Sequence, residues 1–439
     1  MKTNSCATRY TSNSLDKSLL TRLTFATALF SLSTTASANG IALNEQSASS
    51  AGTAYAGRSS SALDASTIYG NPAGLTKLKR RQVSGGAALI SVSNDISDAS
   101  SSTPGTNKGD SVPIGVMPFG YISMPLDERI SIGLGFYAPS GLINDYESTF
   151  QGRHYGSYSE TREMTLQPTI AYRVNDFFSI GAGLTLNRFD AELQSNLATG
   201  NLNNGTETLV TIKGDDTALG YNIGLLVDLS DATTWGITYH SKRSYELKGH
   251  TTVSDSPAFL SLDGNYAATI DLEMPESVDT SITHRFNSRW TGYLGATWTR
   301  WSRLQKFEAI NSNVSPIGQS VGLNRVGETL NWHDTWTTAV GVSYQLNPQW
   351  VLRAGYAYDP SPVRNADRSV RIPVGNRKAV TIGAGYSPSP DLTVDFAYGY
   401  LWDSEASVKQ PGDTALQPAY SANFKNRANG LAIQFTYNF

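Results

Sequence analysis

The sequence predicts an all-β fold, a 14-stranded antiparallel transmembrane β-barrel behind a small, partly helical N-terminal hatch. Three observations predict it. From residue 82 onward apolar residues recur at every second position, the segments so marked are joined alternately by short turns and long polar loops, and tryptophans gather near the segment ends. Composition agrees: the 439 residues include 39 Gly and 22 Tyr but only 5 Met, and charged residues make up 16%. A helical membrane protein would need spans of ~20 consecutive apolar residues, which this polar average does not supply. With a formal net charge of -3 and no basic block, nucleic acid is excluded as an expected partner.

The first 38 residues read as a secretory signal peptide. Lys2, Arg9, Lys17 and Arg22 give the positive leading region, Leu23–Leu32 a short apolar run, and Ala36-Ser37-Ala38 the small-x-small cleavage pattern. The apolar run is about half of what a span needs, which argues against a membrane anchor. Cleavage takes four bases and one acid with it, so the mature chain is more acidic than the whole. The single cysteine, Cys6, lies ahead of the apolar run and leaves with it. Disulfide, zinc–thiolate and thiol chemistry are thereby closed to the mature protein, and neither metal nor cofactor is expected.

Residues 82–439 carry the barrel pattern. Leu219, Tyr221, Ile223, Leu225, Val227 and Leu229 alternate with Ala218, Gly220, Asn222, Gly224, Leu226 and Asp228. The same rhythm runs through Ile130–Phe136, Phe178–Leu186, Trp336–Leu346, Trp350–Tyr358 and Leu392–Trp402. Each run places one apolar stripe on one face of a strand. The opposite positions hold Gly, Ser, Thr, Asn and Ala more than Lys and Glu, which suits a packed or polar lumen better than a water-exposed face.

The connections decide between a barrel and a soluble sandwich. Short turns fall at Pro125–Glu128, Asn175-Asp176, Ser230–Ala232, Asn287-Ser288, Asn347-Pro348 and Ser387–Asp391. Long polar stretches fall at roughly 95–111, 143–160, 193–215, 249–265, 309–331, 360–375 and 404–426. Short and long alternate throughout, so thirteen connections join fourteen strands. An even strand count with loop lengths sorted by side marks a barrel of the Gram-negative outer membrane. Trp235, Trp290 and Trp350 follow short turns, while Trp298, Trp301, Trp332, Trp336 and Trp402 lie toward the long loops, as two interfacial belts require. The terminal run Leu431-x-Ile433-x-Phe435-x-Tyr437-x-Phe439 resembles the strand that the bacterial barrel-assembly machinery recognises. That machinery, outer-membrane lipid and lipopolysaccharide are therefore expected partners, and the protein is expected to be a monomer.

Residues 39–81 do not alternate. They are rich in Ser, Ala and Gly, yet Ile41, Leu43, Tyr55, Leu63, Ile68, Tyr69, Leu75 and Leu78 recur too often for a solvated tail. A compact plug inside the lumen is the expectation. Here the motifs become specific. The runs LNEQSASSAGTAYAG (Leu43–Gly57) and ALDASTIYGNPAGL (Ala62–Leu75) resemble the FadL family, the long-chain fatty acid transporters of Gram-negative outer membranes. The likeness continues through the Leu-rich third strand, the Pro275-Glu276 pair and the terminal Phe439, covering essentially the whole mature chain.

The resemblance implies fourteen strands, a hatch on the periplasmic side, and passive, hatch-gated diffusion of long-chain fatty acids or similar hydrophobic compounds. It also implies that cargo leaves sideways, through a gap at a kinked third strand. This chain has a suitable defect at Ala138-Pro139-Ser140-Gly141, because Pro lacks the ladder N–H and Gly tolerates bulges. The alternative is that Pro139 merely ends the strand. The turn Asn71-Pro72-Ala73 is expected to pack against this kink, and Ile41 is the candidate gate contact, with ordinary plug packing as the alternative. Where the family's interior basic residues would align, this chain offers Asp190 and Glu308, with Arg188 and Lys306 two residues away.

Other functions are open. The same fold would serve aromatic hydrocarbons or outward passage of modified fatty acids, and a general diffusion porin is a further alternative. An enzyme is not expected: His154, His240, His250, His284 and His333 are scattered, and no nucleophile motif accompanies them.

Overall fold

A strand with one apolar face survives in hydrocarbon only if its sheet closes on itself, because an open edge would leave backbone groups unpaired. The computed structural model describes residues 41–412 and 414–439 and closes its sheet. The leader expected over residues 1–38 lies outside the described residues. The spans begin with β1 (Gln82–Ser101), β2 (Gly115–Pro125), β3 (Ile130–Asp145), β4 (Tyr158–Arg173), β5 (Phe178–Leu197) and β6 (Thr208–Ser230). Four interrupted spans follow: β7 (Thr233–His240) with β8 (Arg243–Ser254), β9 (Gly264–Met274) with β10 (Ser277–Arg285), β11 (Trp290–Thr299) with β12 (Lys306–Asn311), and β13 (Arg325–Thr329) with β14 (Thr335–Asn347). The last are β15 (Trp350–Asp359), β16 (Arg377–Tyr386), β17 (Leu392–Asp403) with β18 (Ala406–Gln410), and β19 (Tyr420–Asn438). Nineteen segments thus build the 14 expected spans, all antiparallel, and β1 pairs with β19 from Gln82↔Asn438 to Ser101↔Tyr420.

The six short turns fall where the sequence put them, but the strands on the other side run further than expected. β5 continues to Leu197 and β6 starts at Thr208, inside the stretch expected to be loop. Beyond Leu186 the outward positions of β5 change from Leu to Arg188, Asp190 and Glu192, and these pair with Asp215 and Lys213 of β6. The ladder persists after the apolar alternation has ended, because this part of the wall stands clear of hydrocarbon. Below that level the alternation keeps its facing: Leu219 is 66% exposed, while Asn222 on the opposite face is fully buried.

Two tryptophans do not join the belts. Trp290 and Trp336 stand exposed on the outer surface, but Trp301 and Trp332 are buried. Both fall in breaks of the ladder, between β11 and β12 and between β13 and β14, where the two-residue parity no longer fixes facing.

Residues 41–81 lie inside the cylinder, in two single-turn helices (Ala48–Ala51, Thr67–Gly70) and a 3-10 turn (Pro72–Lys77). Their polar groups are met by the wall on several sides. Gln434 Oε1 of β19 accepts from Ala48 N at 3.0 Å, and the Tyr121 hydroxyl of β2 donates to Gln46 O at 2.9 Å. Ser281 Oγ of β10 accepts from Ser59 N, and Thr76 Oγ1 donates to Ser179 Oγ of β5. Bonds of this kind meet the cost of burying the segment's polar groups inside the lumen.

Candidate functional site

The wall is irregular at β3. Its ladder with β2 stops at Gly120↔Phe136, although β3 continues to Asp145. Its ladder with β4 slips between Tyr137 and Ser140, where Pro139 offers no N–H. The edge of β3 freed by this kink is taken by the start of the interior segment. Leu43 N donates to Pro139 O at 2.9 Å, Gly141 N donates to Ile41 O at 2.8 Å, and Ala42 faces Ser140 in an antiparallel bridge. Pro139, Ser140 and Gly141 therefore continue the strand past the kink, and Ile41 comes to them as a partner. Ile41 also packs into a large apolar cluster with Leu142, Phe189 and Trp301. Leu43, which the sequence places in the plug but does not single out as a gate contact, is 1% exposed and packs among Ala88, Ile90, Met117 and Ala138.

Beneath the kink sits a buried polar knot. Glu163 of β4 accepts from Ser140 Oγ at 2.5 Å, from Arg243 Nε at 2.6 Å and from the Tyr245 hydroxyl at 2.7 Å. This fully buried carboxylate bonds the kinked strand on one side and β8 on the other. Sequence reasoning missed it, although Glu163 shares the lumen-facing parity of Thr161, Thr165 and Gln167.

The Asn71-Pro72-Ala73 turn packs elsewhere than expected. Asn71 caps the 3-10 turn by accepting from Ala73 N at 3.0 Å, and its amide donates to Ser59 O at 2.6 Å and to Leu225 O of β6 at 2.9 Å. It lies over Gly224, and Pro72-Ala73 lie over Gly181 of β5, at points where a Cβ would collide with them. The residue that reaches β3 is Ile68, against Gly133 and Gly135, ahead of the kink. The triplet therefore anchors the segment to β5 and β6 rather than to Pro139. The reason is geometric: glycines at lumen-facing positions of those two strands allow the turn's backbone to approach.

Across the lumen lies a cavity of about 120 Å³. Its barrel side is made of small residues, among them Ala296, Ala339, Ala357, Ala379, Ala397 and Ala432, and Ala42 with Asn44 close it on the interior side. Its rim is charged by Glu45, Arg58, Asp279, Asp359 and Arg377. Arg377 is paired with Asp403 at 2.6 Å, Arg58 donates to Asn44 Oδ1 at 2.7 Å, and Thr337 donates to Asp359 at 2.5 Å. Asp190 and Glu308 do not contribute. Asp190 meets Arg188 and Glu308 meets Lys306 and Arg325, all with the outward parity of their strands. The charges at this cavity are instead Asp279, Asp359 and Arg377 at inward positions of the wall, with Glu45 and Arg58 of the interior segment.

Residues 29–439 match the family described as outer membrane protein transport protein (OMPP1/FadL/TodX). The chain belongs to this family. It is accordingly an outer-membrane protein, and the family is one of transport proteins. A long-chain fatty acid transport protein of Escherichia coli O6:H1 is 27% identical, over 96% of this chain and 99% of that one. A putative outer membrane protein of Neisseria meningitidis serogroup B is 30% identical, over 92% and 95% respectively. Among solved structures, a Pseudomonas aeruginosa FadL homologue superposes with a TM-score of 0.80 at 26% identity, covering 91% of this chain and 100% of that chain. The Pseudomonas putida toluene transporter TodX shares the fold, with a TM-score of 0.66 at 17% identity and the same coverage.

Proposed function

We propose that this protein carries long-chain fatty acids and similar hydrophobic compounds across the outer membrane by passive diffusion. Residues 41–81 act as the hatch, and cargo leaves sideways between β2 and β3. One observation carries the reading: among the described residues, the ladder gap beside Pro139 is covered from within by Ile41–Leu43 and by the Gln46 amide, which donates to Ala138 O, and the Ile41 and Leu43 side chains belong to the apolar clusters of the interior. Apolar cargo gains about 25 cal/mol for each Å² kept from water, so a relay of buried surfaces ending at a wall gap is the path it follows. Ile41 and Leu43 are the gate, Pro139, Ser140 and Gly141 form the doorway, and Asn71-Pro72-Ala73 hold the hatch to the wall while the gate moves. The names of the fatty acid transport relatives support the cargo class.

A double variant, Ala42→Cys with Ser140→Cys, tests the gate. The two residues face each other as a pair flanked by hydrogen bonds rather than joined by them. Such pairs stand ~4.5 Å apart at Cα, within disulfide reach. With the leader removed the chain has no other cysteine. Oxidation is expected to stop uptake of labelled oleate and reduction to restore it; equal uptake in both states rules the gate out.

A second reading concerns cargo size. A cavity near 120 Å³ is slightly smaller than a ~150 Å³ protein cavity that accepts benzene, and three carboxylates stand on its rim against two arginines. These features favour a compact neutral cargo such as an aromatic hydrocarbon, as in the toluene transporter relative. Growth of a strain dependent on this protein, on oleate against toluene, separates the two.

A further inference from the structure

The ladder of the wall is also broken far from β3 in sequence. On the seam between the spans β9–β10 and β11–β12, pairing ends at Ser277↔Thr299 and resumes at Ile270↔Ala309. Six residues on one side (271–276) there face nine on the other (300–308). The surplus folds inward as the 3-10 turn Trp301–Arg303, and Trp301, with no exposed surface, joins the same apolar cluster as Ile41, Leu272 and Met274. Its ring stands edge-on to Trp332 at 5.2 Å. The indole Nε1 of Trp332, a residue 3% exposed, has no hydrogen-bond partner. Trp332 belongs to the break between β13 and β14, so the indole pair joins the two interruptions of the ladder.

Arginines tie the two spans together here where a ladder does not. Arg303 donates through Nε and Nη2 to Glu276 at 2.9 Å each and through Nη1 to Glu273 at 3.2 Å. Arg300 reaches Glu276 through Nη1 at 3.1 Å, and its backbone N meets Glu276 O at 3.1 Å. Glu276 is buried, whereas the Arg300 side chain is nearly half exposed, so the clamp is approached from outside. Its level is set by the tryptophans. Outward-facing Trp298 and Trp336 pair across the neighbouring seam just below it. Trp290 and Trp298 bound nine residues of β11, about the number with which a tilted strand crosses the apolar band of such barrels. The clamp therefore stands where the outer leaflet's head groups begin.

We propose that this seam is a lateral doorway from the outer leaflet into the apolar interior, and that it selects anionic amphiphiles of the long-chain carboxylate class. The carboxylate head takes the place of Glu276 on Arg300 and Arg303, and the chain passes Trp301 into the cluster that ends at Ile41. Exchanging one carboxylate for another keeps the charge-assisted bonds of both guanidinium groups while the seam parts. The doorway deepens the transport reading and rests on it, since the cluster it opens onto is the proposed relay.

The test uses the full-length protein in lipid vesicles, with a diazirine-bearing C16 fatty acid and the matching fatty alcohol as probes and peptide mapping of the cross-links. The acid, supplied in the leaflet, is expected to label peptides covering 268–276 and 300–308. The alcohol should label them about tenfold less, the loss of one charge-assisted bond. Arg300→Gln with Arg303→Gln should abolish that difference, and Glu276→Gln, which weakens the clamp while keeping both arginines, should raise acid labelling. Heat-modifiable migration on gels certifies each variant as a folded barrel. Labels confined to the alanine-lined cavity and the β2–β3 gap, or equal labelling by acid and alcohol at the seam, overturn the doorway while leaving transport intact. Absence of labelling anywhere inside the wild-type barrel overturns the transport reading and the doorway with it.

Discussion

Leu43→Ala is expected to make the conduit leak. Leu43 holds its place over the β3 kink by one backbone bond to Pro139 and by packing among Ala88, Ile90, Met117 and Ala138. Truncating a fully buried leucine costs about 2–5 kcal/mol. The lower end applies here, because the neighbours are mostly small and the segment can settle into part of the space. If the open gate leaves this side chain loosely packed, nearly all of that ~2 kcal/mol is lost from the closed state alone, and the open-to-closed ratio rises about 30-fold. Initial uptake of labelled oleate at low concentration, in cells lacking their own fatty acid transport protein and matched for surface amount, reads this directly. A rise of about tenfold or more is expected, with Leu43→Ile close to the unchanged protein because side-chain volume is kept. A folded Leu43→Ala barrel whose uptake stays within about twofold of the unchanged protein refutes the argument, since a ~2 kcal/mol shift cannot hide in that range.

Other perturbations follow from the same contacts. Asn71→Ala removes a cap and two bonds to carbonyls, so the hatch should loosen and single-channel conductance in planar bilayers should become larger and noisier; a quiet trace identical to that of the unchanged protein counts against the anchoring role. Gly224→Val puts a branched side chain where Asn71 sits and should expose residues 41–81 to added protease, whereas full protection speaks against the close approach. Glu163→Gln leaves Arg243 buried without its carboxylate and should lower stability by about 3–5 kcal/mol in urea unfolding, part of which Arg243→Gln in the same chain should restore. His154, in the loop between β3 and β4, is held below the ordinary histidine value of 6.5 by burial, against the pull of Glu207 at 3.7 Å. A depressed value means that the fold binds the proton less readily than the opened loop. The loop's stability is therefore whole above about pH 6.5 and erodes as the pH falls, so proteolytic nicking of 145–158 should increase on acidification, and His154→Gln should remove that dependence.

The strand count was legible because hydrocarbon enforces it. Every outward position of a run such as Leu219–Leu229 must be apolar, and the turns Asn175-Asp176 and Asn347-Pro348 interrupt that pattern sharply. Legibility ended where the lipid ends. The upper parts of β5 and β6 carry charge on their outer face, so they read as loop although the ladder continues. The breaks at 300–305 and 330–334 were hidden for the same reason, and with them the inward turn of Trp301 and Trp332. At the candidate site, Pro139 and Ile41 were visible as a missing donor and an apolar residue at the head of the segment. Their direct pairing was not, because a bridge between positions about a hundred residues apart leaves no local pattern. The Asn71 turn was placed on the wrong strand because glycines that admit it, Gly181 and Gly224, look no different in sequence from the many glycines that merely alternate.

Closure of the cylinder by its first and last strands also bears on biogenesis. Gln434, five residues from the end, accepts from Ala48 N at the start of the Ala48–Ala51 turn, and Phe439 N donates to Arg81 O. One support of the interior segment is thus missing until the final strand is in place. The two ends of the described chain are joined by more than the ladder, and trimming the last few residues would loosen the interior segment as well as the closing strand.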